Sequence, residues 1–159
     1  MLRLTSAIYE ALRTHGEETY PHECCGVLLG RSEAGGNTVE AAVRAGNTRT
    51  DSAHNRYNIA PQELVKIQRQ AREQGWDIVG FYHSHPDHPA QWSSTDLAEA
   101  HWLGCSYVIT AVSSGRAEQT NSFLLTGASE EDKSLILEPI ELNGVLPEES
   151  EEELRSIPA

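Results

Sequence analysis

The sequence predicts an α/β layered domain built on a mixed, mostly antiparallel sheet flanked by helices, and three observations carry that prediction. Helix-like and strand-like segments are interleaved along the chain instead of being sorted into halves. A glycine-rich cluster, Glu33-Ala34-Gly35-Gly36-Asn37, joins two strand-like runs as a hairpin. No stretch resembles a phosphate-binding loop.

The elements follow in chain order. From Thr5 to Thr19, Ile8, Ala11, Leu12 and His15 recur at helical spacing, with Thr5 or Ser6 available as a cap and Pro21 marking the end. Cys24 to Gly30 is short, apolar and punctuated by glycines, which reads as a buried strand with Glu23 at its entrance. Thr38 to Val43 returns as its partner. Polar sequence from Asn47 to Asn55 reads as a loop, followed by a short extended piece from Arg56 to Ile59. Pro61 opens a second helix at the favoured first-turn position, with Leu64, Ile67 and Ala71 on one face and Gly75 as its stop. Trp76 to Tyr82 is the most apolar strand candidate and delivers His83 and His85. Pro86 to Trp92 is too rich in turn formers to extend it. Ser93 then caps a helix-like segment reaching Leu103, with Asp96 three residues after the cap. Tyr107 to Val112 and Ser122 to Leu125 are strands, and Leu135 to Leu142 is a weaker one.

The chain of 159 residues is long enough for one domain with a real core, expected over residues 1–144. Beyond Gly144 the composition shifts to Pro and Glu, so residues 145–159 are expected to form an acidic, mobile tail. A net charge of −12 argues against nucleic-acid and anionic-membrane partners, although five glutamates between Glu148 and Glu153 exaggerate the acidity of the domain itself. Three cysteines, two of them adjacent, make neither a disulfide framework nor a C-x-x-C pair. With no apolar leader-like start and no membrane-length apolar run, the expectation is a soluble, cytoplasmic protein.

The chemistry centres on His83-Ser84-His85. Residues two apart on a strand project to one side, and two imidazoles on one buried face need partners for four ring nitrogens. A metal ion satisfies two of those at once. Asp96 adds an anionic third ligand of the kind that catalytic zinc takes, leaving a fourth position for water, although an acidic residue in the first turn of a helix is favoured by the helix dipole in any protein. Metal-assisted hydrolysis also needs a base that is not a ligand. Glu23, at the mouth of a neighbouring strand, is one candidate, although a solvated residue between helix and strand is its ordinary reading, and His22, Asp87 and His88 are rivals on composition. Ser93 is an N-cap on general grounds. Cys24 and Cys25 point to opposite faces of a strand and are better read as packing than as a nucleophile or a ligand pair.

Taken together, Pro21-His22-Glu23-Cys24-Cys25-Gly26-Val27-Leu28-Leu29-Gly30, then His83-Ser84-His85-Pro86, then Ser93-Ser94-Thr95-Asp96 resembles the JAMM motif of the MPN-type metallopeptidases. The similarity extends from the first helix to the strand near Leu125. It implies the curved-sheet, cytidine-deaminase-like layered fold of that family. It further implies that His83, His85 and Asp96 bind Zn²⁺ with a water, that Glu23 is the general base and acid, and that Ser93 helps hold the oxyanion. The compact length is similar to that of stand-alone prokaryotic relatives. Those cut the amide after the C-terminal Gly-Gly of a ubiquitin-like or sulfur-carrier protein. Trp92 departs from the proline common there, which bears on substrate preference. A non-catalytic MPN-type module recruiting a partner through its acidic tail is the competing reading. A zinc deaminase is disfavoured because no Pro-Cys-x-x-Cys occurs.

Overall fold

The computed structural model describes residues 1–47 and 57–144. The expected acidic tail, and all but the first residue of the expected loop from Asn47 to Asn55, lie outside the described residues. Eleven elements follow in the order β1 (Leu2–Leu4), α1 (Ser6–Thr19), β2 (Cys25–Glu33), β3 (Gly36–Ala45), α2 (Pro61–Glu73), β4 (Asp77–Pro86), α3 (Ser94–Glu99), β5 (Ser106–Ser113), β6 (Arg116–Thr126), β7 (Ser134–Glu138) and β8 (Ile140–Leu142). The eight strands form one sheet in the order β7-β6-β5-β4-β2-β3-β1-β8. Pairings β2–β3, β2–β4, β5–β6 and β6–β7 are antiparallel, whereas β4–β5, β1–β3 and β1–β8 are parallel. The sheet is therefore mixed and mostly antiparallel. β7 and β8 occupy its two ends yet are separated in sequence by Pro139 alone, so the sheet must curl nearly into a barrel.

Local chemistry accounts for the helices. Thr5 is the N-cap of α1, its hydroxyl accepting the Ile8 N–H at 3.2 Å, and Leu12, His15 and Gly16 are its buried residues. Pro61 sits in the first turn of α2, Ile67 and Ala71 face the core, and Gly75 follows at a φ of 77° that a side chain would resist.

The core is divided by the sheet. Val27, Phe81, Tyr107 and Ile109 pack on the side covered by α2, while Leu28, Tyr82 and Val108 pack with Leu12 of α1 on the other. Ile78 lies on the α2 side and Val79 on the α1 side, yet Phe81 is again on the α2 side. A register shift between Leu28 and Leu29 of β2, opposite Gly80 and Ile78, explains this rephasing. The irregularity aims Phe81, and with it His83 and His85, at one face of the sheet. Tyr82 and Ser84 point to the other. Gly80 is needed here because a Cβ would stand 2.4 Å from the Ser106 carbonyl oxygen.

Several elements differ from their expected extents. β1 was not expected, since a three-residue buried-intermediate-buried pattern is too short to read. β6 begins at Arg116 because its exposed, polar first half is held by pairing with β5 and not by burial. α3 has six residues and stops at Glu99. Ala100 is extended, and Lys133 Nζ donates to the Ala98 and Ala100 carbonyls at 3.2 and 2.8 Å, closing the helix end. Pro139, with no N–H to give, splits the expected Leu135–Leu142 strand into β7 and β8.

Candidate metal centre and active site

β4 carries its two histidines to the edge of the α2 face, where α3 meets them. His83 Nε2 and His85 Nε2 are 3.1 Å apart. Asp96 Oδ1 lies 3.2 Å from the first and Oδ2 lies 3.1 Å from the second. The start of α3 holds the carboxylate there through a capping box: Ser93 Oγ accepts the Asp96 N–H at 3.0 Å, and Asp96 Oδ2 accepts the Ser93 N–H at 2.9 Å. The capping geometry leaves each Asp96 oxygen within 3.2 Å of a histidine nitrogen, so a cap and a ligand arrangement are compatible in one residue.

The tautomers follow from the surroundings. His85 Nδ1 is 2.9 Å from the Pro89 carbonyl oxygen, which can only accept, so Nδ1 carries the hydrogen and Nε2 of the neutral ring presents a lone pair. That lone pair faces another imidazole nitrogen and a carboxylate. Four electron-rich atoms, two ring nitrogens and the two Asp96 oxygens, meet at 3.1–3.2 Å and repel one another unless a cation or protons intervene. Ligands about 2.0–2.1 Å from a shared tetrahedral centre stand about 3.3 Å apart, so the spacing fits a metal ion. Burial lowers the pKa of His83 against the pull of Asp96, which disfavours the proton solution at that ring. For Asp96, burial alone would raise the pKa, but the two histidines hold the carboxyl well below the usual range. His85 is raised in spite of its burial, by the Asp96 carboxylate and the Pro89 carbonyl.

Glu23 approaches from β2. Cys25 stands opposite His83 in the antiparallel β2–β4 pair, which brings Glu23, two residues earlier, beside His85. One ligand atom each from Glu23, His83 and His85 lies within 4.8 Å of the others, a group able to hold a metal ion or to serve one. Glu23 is 3% exposed and its Oε2 has no hydrogen-bond partner among the described residues; His83 Nδ1 is likewise unpartnered. Burial pushes the Glu23 pKa up to about 8, with His85 opposing and Asp96 adding to the shift. A carboxyl poised near neutral pH can both take and give a proton.

The structure thus brings together four of the expected residues, Glu23, His83, His85 and Asp96, with Ser93 at the rim. The rival bases fare differently. Asp87 is occupied, accepting from the Tyr20 hydroxyl at 2.6 Å and the Ser114 N–H at 2.9 Å. His22 is exposed at the end of α1. His88 lines a cavity of about 350 Å³ together with Glu23, His85, Ser93 and Trp92. Cys24 and Cys25 are buried and their thiols are pushed up by that burial, to about 11 and about 12, which suits packing and not nucleophilic chemistry.

Two contributors were not foreseen. The Tyr57 ring stacks on His83 with centroids 4.6 Å apart and an interplanar angle of 26°. The Pro89 carbonyl fixes the His85 tautomer. Neither leaves a trace in sequence, because one is an aromatic in an unpatterned stretch and the other is backbone.

Comparison with known proteins adds an independent line. The family model for prokaryotic homologs of the JAB domain matches residues 5–126. A desampylase from Haloferax volcanii is 37% identical over 112 residues, covering 68% of this chain and 78% of that protein. A probable TtuB-protein conjugate cleaving protease from Thermus thermophilus is 31% identical over 117 residues, covering 74% of each. A solution structure of a Desulfitobacterium hafniense protein superposes with a TM-score of 0.75 at 28% identity, over 93% of this chain and 97% of that one.

Proposed function

The chain belongs to the family of prokaryotic homologues of the JAB domain, and from that premise we propose that it is a zinc-dependent isopeptidase cutting the amide after the C-terminal Gly-Gly of a ubiquitin-like or sulfur-carrier protein. The observation that carries the reading is the convergence of two imidazole nitrogens and a carboxylate beside buried Glu23, whose Oε2 has no hydrogen-bond partner among the described residues. The relatives support the substrate class, one being named a desampylase and one a conjugate cleaving protease. Three buried free thiols fit a cytoplasmic setting. No helix among the described residues is long and apolar enough to cross a membrane.

In this reading His83, His85 and Asp96 hold the ion. Bound there, Zn²⁺ supplies Lewis acidity toward the scissile carbonyl and acidifies a water toward neutral pH. Glu23 is the base that accepts a proton from the attacking water, and afterwards it returns that proton to the departing amine. Its burial, which disfavours the charged carboxylate, favours uptake of that proton. Ser93 Oγ already accepts from the Asp96 N–H, so its own O–H is left to donate to the carbonyl oxygen as negative charge develops. Pro89 keeps the His85 lone pair aimed at the centre, and Tyr57 covers the His83 ring.

The test is Glu23→Gln, assayed on a Gly-Gly-extended carrier conjugate by intact mass alongside metal analysis. Turnover should fall by about 10²–10⁴-fold while close to one zinc per chain is retained. Full activity in the variant would sink the mechanism.

A further inference from the structure

Two cavities flank the histidines along β4, and they differ in kind. The larger contains Glu23, His85 and Ser93. The smaller, about 120 Å³, lies toward the start of the strand; Tyr57, Ile59, Leu64, Phe81, Trp102 and Tyr107 line it, and the exposed Asn58, Glu99 and His101 complete its lining. Phe81 is its floor, with Trp102 edge-on at 5.5 Å and Tyr107 stacked at 5.5 Å. Tyr57 is the shared wall, since it lines this cavity and also stacks on His83.

Building on the isopeptidase reading, we propose that the aromatic cavity over Phe81 receives an apolar side chain, leucine or phenylalanine, at the residue immediately before the Gly-Gly of the substrate tail. Direction comes from Glu23. It stands at the His85 end of the pair, and the amine it protonates departs on that side, into the larger cavity. The acyl chain therefore runs the opposite way, over His83 toward Phe81. Spacing gives the residue. An extended chain rises about 3.3 Å per residue, so Phe81 lies about 6.6 Å before His83, two residues of extended chain. A tail with its last glycine carbonyl at the centre uses two residues to pass Tyr57 and sets the third over Phe81. Side chains are absent where the stacked ring crowds the path, and one is present where the cavity opens. A space of this size walled by four aromatic rings suits a branched aliphatic group or a phenyl ring, and it penalises a carboxylate, which would lie against the rings and beside Glu99.

The experiment uses the zinc-loaded full chain and acetyl-Ala-X-Gly-Gly joined to the ε-amine of a lysine derivative, with X as Leu, Phe, Ala or Asp. The inference expects kcat/KM at least about tenfold higher for Leu or Phe than for Ala, with Asp lowest. The product acids acetyl-Ala-X-Gly-Gly should bind the metal-free protein in the same order, read by tryptophan fluorescence. Trp102→Ala, which removes a wall, and Ile59→Trp, which fills the space, should each cut the Leu-over-Ala preference to about twofold while sparing zinc content. Equal kcat/KM across the series, or a preference that survives both variants, overturns the cavity assignment and leaves the isopeptidase reading standing. No cleavage of any member by the zinc-bound protein overturns both.

Discussion

The two faces of β4 hold the same kinds of groups in opposite states of satisfaction. On the α1 face, the Tyr82 hydroxyl meets His15 Nδ1 at 2.8 Å, and Ser84 Oγ accepts the Cys24 N–H at 2.9 Å. On the other face, one residue out of phase, His83 Nδ1 and Glu23 Oε2 are buried with no partner among the described residues, and two ring nitrogens meet the two Asp96 oxygens at 3.1–3.2 Å. Packing follows the same division. Tyr82 lies where a Cβ on Gly26 would be 2.1 Å from its ring, and Ser84 lies where one on Gly16 would be 3.2 Å from its Cβ. A closed, internally paired back supports a front that is held rigid yet left incomplete. Buried polar groups are costly unless they are paired, so a fold that pairs them on one side of a strand and leaves them open on the other keeps the open side for something from outside.

The largest expected break in this contrast lies at Glu23. Burial raises its folded pKa to about 8, well above the ordinary carboxyl value of 4.5, so the metal-free folded state keeps a proton that the unfolded chain releases. Stability is then fully present below about pH 4.5 and is lost as pH rises through 8. Metal-free Glu23→Gln does not titrate there, and should exceed the wild type by about 3–5 kcal/mol at pH 9 while matching it near pH 4.5. Denaturant melts of the chelated proteins at the two pH values measure this difference, and parallel pH profiles would count against an uncompensated carboxyl.

On the paired face the effects are smaller and of another kind. Ser84→Ala strands the Cys24 N–H, which adjoins Glu23, and should cost about 1–3 kcal/mol of stability. Zinc should stay bound, and turnover should slow by less than in Glu23→Gln. Tyr82→Phe leaves His15 without its hydroxyl partner and should cost about 1 kcal/mol, with turnover and metal content unchanged. A rate loss in Tyr82→Phe as deep as that in Glu23→Gln would erase the distinction between the faces.

Much of this contrast can be read in the one-dimensional pattern. The apolar run ending at Tyr82, the alternation of His83 and His85 and the cap at Ser93 are local signals, and each specifies its element by period or by end chemistry. The sheet's mixed character also follows from interleaved segments and a glycine turn. Glu23 is different. Its approach to His85 depends on the β2–β4 register, which no local pattern encodes, so only the resemblance of the whole motif singled it out over His22, Asp87 and His88. The rephasing near Val79 and the first half of β6 escaped because pairing, not burial, defines them, and the strand at Leu2–Leu4 escaped because three residues are too few to show a period. Tyr57 and the Pro89 carbonyl escaped because an isolated ring and a backbone oxygen gain meaning only from what stands opposite.

The central claim is that the open face of β4 becomes an amide-cutting site when it takes a metal ion. Chelation of the purified chain followed by add-back of zinc, with cleavage of a Gly-Gly-linked carrier conjugate read by intact mass, tests it most directly. Cleavage should disappear on chelation and return with close to one equivalent of zinc. Cleavage that persists undiminished in the chelated protein would contradict the account.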